Sequence, residues 1–271
     1  MENFTILICL FNKSIEDSNT IQSLLSSSPF LDNTKIILWD NSLTPLKEDK
    51  ISYLCSKLKN LEYISTPENT PLARIYNSII DRQKKSDGYL MICDDDSLIP
   101  VSFFQEIFLE IGNNLNINLF LPKIVANSVI VSPARDYKIF SKFFRNLKTG
   151  LIHSNNITAI NSCMVISNRI FLNGFRYDLR LNFYGTDNYF MYNYTRRYQK
   201  IFVLNSNVRH SLSFNSTNDL KNKLRIFREI RRANRIVYAD NFVTKNVVRL
   251  NNFIVAVKYC LRFKTLKFLY D

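Results

Sequence analysis

The first hundred residues alternate between short apolar runs and segments of helical spacing. The runs "FTILICLF" (4–11), "KIILWD" (35–40), "LEYIST" (61–66) and "GYLMIC" (88–93) are nearly continuous in apolar residues. That is the pattern of strands covered on both faces. Between them, Ser14 and Asp17 read as a capping box opening a helix to about Leu25, and a second helix spans about 47 to 57. Pro71 stands at the first position of a third helix, to about Gln83, and Pro100 opens a fourth, to about Ile111. Strand–helix repetition of this kind predicts an α/β fold with a mostly parallel sheet and flanking helices. From about 115 to 166 the strands shorten ("NLFLPKIV", "SVIVSP", "TAINSCMVIS") and the loops loosen. A helix is predicted near Thr186, and two long basic helices follow at about 219–239 and 246–268.

Composition changes this picture in three ways. The five glycines, at 88, 112, 150, 174 and 185, allow neither GxGxxG nor GxxxxGK[ST], so any nucleotide is held without the two commonest phosphate cradles. The net charge of +13 is uneven: residues 1–195 carry 19 basic and 19 acidic side chains, residues 196–271 carry 17 and 4. Such an excess faces something anionic. The five cysteines (9, 55, 93, 163, 260) have neither CxxC nor zinc spacing, so they are expected to be reduced and structural in a cytoplasmic protein. The opening "MENFTILICLFN" has an acid and no basic region before its apolar run, unlike a signal peptide, and no apolar stretch approaches the roughly 20 residues that span a bilayer.

The candidate chemistry sits in "GYLMICDDDSLIP" (88–100), where a buried strand ends on Asp94, Asp95 and Asp96. Open α/β sheets bind ligands at the carboxyl ends of their strands. Carboxylates about 4 Å apart repel by roughly 1 kcal/mol in water and about 4 kcal/mol at an effective dielectric near 20, so an enclosed trio calls for a cation. Mg²⁺ or Mn²⁺ beside a diphosphate is the usual setting. The plainer reading is an acidic turn at the N-terminus of the helix opened by Pro100.

Six stretches, taken in order, resemble the inverting nucleotide-sugar glycosyltransferases of family 2, which have the GT-A fold. They are "LFNK", "IILWDNS", "PENTPLARIYN", "YLMICDDDS", "GFRYDLRLNFYGTDNYFMY" and "VLNSNVRHSLS", within about residues 4–215. The resemblance implies a catalytic domain over 1–215, with a nucleotide half to about 115 and an acceptor half over 116–215, followed by a basic amphipathic helical extension over 216–271. It implies that Asp40 contacts the base, that Asp94 and Asp95 lie on the ribose or diphosphate side, and that Asn12 and Asn77 line the nucleotide pocket. Asp96 and His210 would ligate Mn²⁺ or Mg²⁺, and Asp187 would be the general base. Taken alone, Asp40 also fits a turn residue, His210 a surface or core histidine, and Asp187 a helix first-turn acid. The chain departs from the family pattern at Thr186, where Glu is usual, and at Pro71, often glycine. The extra acid Asp95 leaves open which carboxylates face the metal.

"YGTDNYFMY" and "DDDS" are most similar to rhamnosyltransferase-like and other O-antigen enzymes, implying a dTDP- or UDP-sugar donor. The implied acceptor is a polyprenyl-diphosphate-linked or other saccharide of bacterial O-antigen or capsule. In the tail, Leu220, Leu224, Phe227 and Ile230, and then Val247, Leu250, Ile254, Val257 and Leu261, recur at helical spacing among many cations. Basic amphipathic helices suit an anionic membrane, so peripheral attachment at the inner face through 219–268 is expected. The same stripes could instead pack on the catalytic domain. No nucleic-acid motif accompanies the charge. A metal-dependent nucleotidyltransferase, which should carry a glycine-rich basic loop near its start, and a non-enzymatic basic peripheral protein are the alternatives.

Overall fold

In a computed structural model of the chain, which describes residues 3–83, 87–138, 140–210 and 219–270, the first apolar run forms β1 (Phe4–Leu10), buried along its whole length. There follow α1 (Asn19–Ser26), β2 (Thr34–Asp40), α2 (Glu48–Lys57), β3 (Leu61–Ser65), α3 (Leu72–Ile80), β4 (Tyr89–Asp94), β5 (Ser97–Leu98) and α4 (Val101–Asn113). Strands β3, β2, β1 and β4 pair in parallel, in that order. The period-2 geometry of a strand sends alternate side chains of β1 to opposite faces. Phe4, Ile6, Ile8 and Leu10 join a core under α1, α2 and α4, while Leu7 and Cys9 join one under α3 and the later helix carrying Phe190 and Tyr194. Two buried faces explain why the run is apolar throughout rather than alternating.

The second half adds β6 (Leu119–Ala126), β7 (Val129–Ser132), β8 (Ala134–Asp136), β9 (Ser141–Phe143), β10 (Gly150–His153), β11 (Ile157–Thr158), β12 (Met164–Ser167), α5 (Asn168–Leu172), α6 (Thr186–Arg197) and β13 (Lys200–His210). β12 inserts antiparallel between β4 and β6, and β13 runs parallel to β6, giving the sheet order β10-β13-β6-β12-β4-β1-β2-β3. β8, β9 and β11 form a separate three-stranded sheet. Two of the boundaries that differ from the sequence reading have a clear local cause. Helix α1 starts after Ser18, whose hydroxyl accepts from the Ile21 N–H at 3.3 Å, while Ser14 and Asp17 bond each other in the preceding loop. Of "TAINSCMVIS", only Met164–Ser167 is long-run strand, because Asn161 and Ser162 turn toward the site described below.

The two basic helices are α7 (Leu220–Val237) and α8 (Phe242–Phe263). The domain boundary expected at 215/216 lies outside the described residues. Helix α7 packs inward: Ile226, Phe227, Ala233 and Val237 are buried, and Ala233 belongs to the same core as α6. Helix α8 is split. Val248, Asn252, Ala256 and Cys260 are buried against its neighbours, whereas Val247, Leu250, Ile254 and Leu261 of the sequence-derived stripe are exposed. Among the described residues no helix is long and apolar enough to cross a membrane. Cys9, Cys93, Cys163 and Cys260 are buried, Cys55 is exposed, and all five are free.

Candidate active site

The strand register brings the chemistry together. Leu10 pairs with Asp40 and Cys9 with Asp94, so the carboxyl ends of β1, β2 and β4 lie side by side. The loop after β4 is held by the start of α1. Ser18 donates its hydroxyl to the Asp95 carbonyl at 2.8 Å, Thr20 donates to the Asp94 carbonyl at 2.5 Å, and the Ser97 N–H donates to the Thr20 hydroxyl at 2.9 Å. These bonds fix a backbone that sends successive acids to different partners.

Asp95 is turned away from the other two and neutralised. Lys13 Nζ lies 2.5 Å from its Oδ1, and the Phe11 N–H donates to Oδ2 at 2.9 Å. This settles which carboxylates group together. Asp94 and Asp96 converge with His210, their ligand atoms all within 4.8 Å of one another. His210 is brought 113 residues along the chain by antiparallel pairing of β13 with β5, which sets it opposite Ser97. Its Nδ1 is 3.0 Å from Asp96 Oδ1 and 3.2 Å from the Ser97 hydroxyl.

The electrostatics of the group are costly without a cation. Burial raises the Asp94 carboxyl to about 6; His210 opposes the rise, and the charges of Asp96, Asp95 and Asp187 add to it. Burial pushes the His210 imidazole down, but the hydrogen bond and charge of Asp96, with the charge of Asp94, leave it above its usual value. Two carboxylates and one imidazole at this spacing make a donor set that fits Mn²⁺ or Mg²⁺, the nitrogen favouring Mn²⁺.

Asp94 and His210 also line a cavity of about 340 Å³ together with Asp187. Asp187 sits in the first turn of α6, entered through Gly185 at φ 81°, a left-handed conformation that glycine adopts without strain. Burial raises its carboxyl above the ordinary aspartate value, although the N–H of Asn188, which donates to Oδ1 at 2.8 Å, pulls it partly back. Glycine at 185 has a second cause. A Cβ there would stand 2.6 Å from the Cβ of Ala233 on α7. Gly185→Ala should therefore lose about 2 kcal/mol through overpacking and positive φ, read as a melting temperature roughly 4–8 °C lower. Unchanged thermal unfolding would show that α6 and α7 are not packed this closely.

The cavity contains two polar groups that the sequence reading did not single out. Tyr76 is fully buried on α3, and its hydroxyl has no partner; the Asn161 amide donates to the Thr186 hydroxyl at 3.0 Å while its Oδ1 is unbonded. Both line the cavity with Asp94 and Asp187. Tyr76 stood inside the quoted "PENTPLARIYN" and reads in sequence as one more apolar position of an amphipathic helix. On the other side of Asp96 and His210 a more open hollow of about 570 Å³ is bordered by Asn19, Asn127, Ser128 and Arg209.

Three expected pocket residues are hydrogen-bonded within the protein. Asp40 is 0% exposed. It accepts from the Ser42 N–H at 3.0 Å, the Leu46 N–H at 2.8 Å and the Tyr63 hydroxyl at 2.7 Å, so it shapes the turn after β2. Asn77 faces away from the cavity because both ends of its amide are taken by the Tyr177 backbone, Nδ2 donating to the carbonyl and Oδ1 accepting from the N–H, each at 2.8 Å. Asn12, at φ 51°, ties the end of β1 to the same turn: its N–H donates to the Ser42 hydroxyl at 2.8 Å and its Oδ1 accepts from the Leu43 N–H at 3.1 Å.

No protein-family model and no curated protein matches the chain. Solved structures do. S. aureus TarS 1–349 in complex with UDP aligns over 92% of this chain and 69% of its own, at TM-score 0.60 and 13% identity. TarS 1–349 with UDP-GlcNAc aligns over 85% and 66%, at 0.58 and 12%. GalNAc-T7 with UDP, GalNAc and Mn²⁺ aligns over 77% of this chain but 43% of its own, at 0.57 and 15%. These neighbours are GT-A glycosyltransferases, and the chain has their fold, a curled central sheet with flanking helices.

Proposed function

We propose that the chain is a metal-dependent, inverting glycosyltransferase that moves a sugar from a nucleoside-diphosphate donor to an acceptor hydroxyl. One observation carries this reading: Asp94 and His210 belong both to the candidate metal group and to the wall of the cavity that holds Asp187. An acid outside the cluster lines the same cavity as two of its members. Asp187, raised above the ordinary carboxyl range, is suited to take the acceptor proton as the hydroxyl attacks the anomeric carbon. Asp94, Asp96 and His210 would hold Mn²⁺ or Mg²⁺, which neutralises charge developing on the departing diphosphate. Tyr76 and Asn161 offer a hydroxyl and a carbonyl oxygen to the sugar. The fold shared with UDP-bound neighbours supports a UDP- or dTDP-sugar donor. A nucleotidyltransferase is disfavoured because the β1–α1 connection, "FNKSIEDS", contains no glycine.

Ligands that bind the native state alone raise its stability by RT ln(1 + [L]/Kd), about 2.7 kcal/mol at 100 Kd. Mn²⁺ with UDP or dTDP, at saturation, should therefore raise the melting temperature by roughly 5–10 °C, and neither component alone should match the pair. No shift with any nucleoside diphosphate, metal present, would overturn the donor assignment.

The proposed acceptor is a lipid-linked saccharide of a bacterial surface polysaccharide, reached by docking on an anionic membrane. Support comes from α8, where exposed Val247, Leu250, Ile254 and Leu261 are flanked by Lys245, Arg249, Lys258 and Arg262. Burial of a leucine side chain is worth about 1.5–3 kcal/mol. Leu250→Glu with Ile254→Glu should accordingly cut binding to anionic vesicles by at least about tenfold without lowering thermal stability. Equal vesicle flotation of the double variant would remove α8 as the anchor.

A further inference from the structure

Arg231 and Arg235 are four residues apart on α7 and so share a face of it. Together with Arg249 and the buried Asn252 of α8 they line a cavity of about 280 Å³ between the two helices. None of the three guanidinium groups forms an ion pair with a described residue, and Arg231 Nη1 is both buried from solvent and without a hydrogen-bond partner. Neighbouring carboxylates are committed elsewhere. Glu229 accepts from Asn182, and Asp240 is paired with Arg196 and the Tyr192 hydroxyl. Asn252 Oδ1 accepts from Asn234 at 3.1 Å, so the group it has left to offer is its NH₂ donor.

A solvated basic face would explain the exposed Arg235 and Arg249. It does not explain a guanidinium nitrogen hidden from water with nothing to bond, since an unsatisfied buried donor is destabilising and three like charges add to the cost. A single anion with several oxygens relieves both. Planar guanidinium forks match the tetrahedral oxygens of phosphate, and three of them exceed what one carboxylate can accept. We infer that the cavity between α7 and α8 is a binding site for a phosphomonoester or diphosphate group, separate from the Asp94–Asp96–His210 cleft. The inference is independent of the transferase reading. By helical spacing Arg249 lies on the flank of α8 between the exposed stripe and the buried Asn252. The phosphate can therefore belong to a lipid headgroup or to a soluble molecule.

The test uses the full chain and inorganic pyrophosphate in EDTA, which suppresses metal-supported binding in the cleft, with affinity read by titration calorimetry. Expected is saturable binding at one site, weakened at least tenfold in Arg231→Gln and in the double variant Arg235→Gln/Arg249→Gln, and unchanged in Asp96→Ala. Arg235 and Arg249 are exposed, so the double variant keeps the fold even if Arg231→Gln does not. Absence of saturable binding to the wild type, or wild-type affinity in the double variant, would overturn the site. A second arm separates the sources among positive results. Release of the protein from phosphatidic acid vesicles by pyrophosphate identifies the headgroup, and retention at saturating pyrophosphate identifies a soluble phosphate.

Discussion

Asp187→Asn is expected to lower sugar transfer about 10²–10⁴-fold, the range that a positioned general base supplies, while donor affinity stays within about twofold. Asparagine keeps the Oδ1 that accepts from the Asn188 N–H, so the first turn of α6 survives. It loses only the ability to take a proton. Stability should move the opposite way from activity. The folded-state pKa of Asp187 is raised, so its favourable contribution is complete below the unfolded value and is lost as pH rises through the folded value. At neutral pH the ionised carboxylate is a cost, and the asparagine variant should melt at the same temperature or higher. That difference should vanish below about pH 3.8. In the wild type the same shift places the acid limb of the rate profile above the ordinary aspartate range. Full turnover in Asp187→Asn would dismiss it as the base.

The second large effect concerns Asp96. Asp96→Ala removes one of three candidate ligands and the partner of the His210 imidazole. Altering even the groups that orient metal ligands costs about 10–100-fold in metal affinity, so losing a ligand should cost at least the upper figure. The stabilisation by Mn²⁺ plus nucleotide should disappear and transfer should fall with it. Asp95→Asn is the matched control one residue away. Its carboxylate is spent on Lys13 and the Phe11 N–H, a half-buried pair worth about 1 kcal/mol at most once solvent screening is allowed for. Metal dependence should persist there. If the two variants behave alike, the division of the three acids is mistaken.

That division was not readable in the sequence. Asp95 and Asp96 lie in the turn after β4, where strand alternation no longer applies, so only the three-dimensional neighbours of each acid show which side holds His210. β1, β2 and β4 were legible because both sheet faces are buried there and the runs are nearly continuous in apolar residues. β9 was not, since all of Ser141–Phe143 is exposed and leaves no burial pattern. The internal hydrogen bonds of Asp40 and Asn77 were hidden from the sequence for one physical reason. A polar side chain at a strand end or on a helix looks the same in sequence whether its hydrogen bonds go to substrate or to backbone, and here the Ser42, Leu46 and Tyr177 backbone groups took them. Tyr76 was hidden for the converse reason, being apolar in pattern and polar only at its tip. The two tail stripes looked alike by periodicity, yet one helix buries its apolar side against α6 and α8 and the other presents a row of it outward.

The contact between Ala233 and Gly185 bears on how a minimal folded fragment could be cut from this chain. The residue that enters α6 is pressed by a helix arriving nearly fifty positions later, so the wall behind Asp187 is borrowed from the tail. A fragment ending before α7 would leave that wall open to water. Trimming should begin beyond α8, and the basic helices are better regarded as the last course of masonry than as a detachable handle.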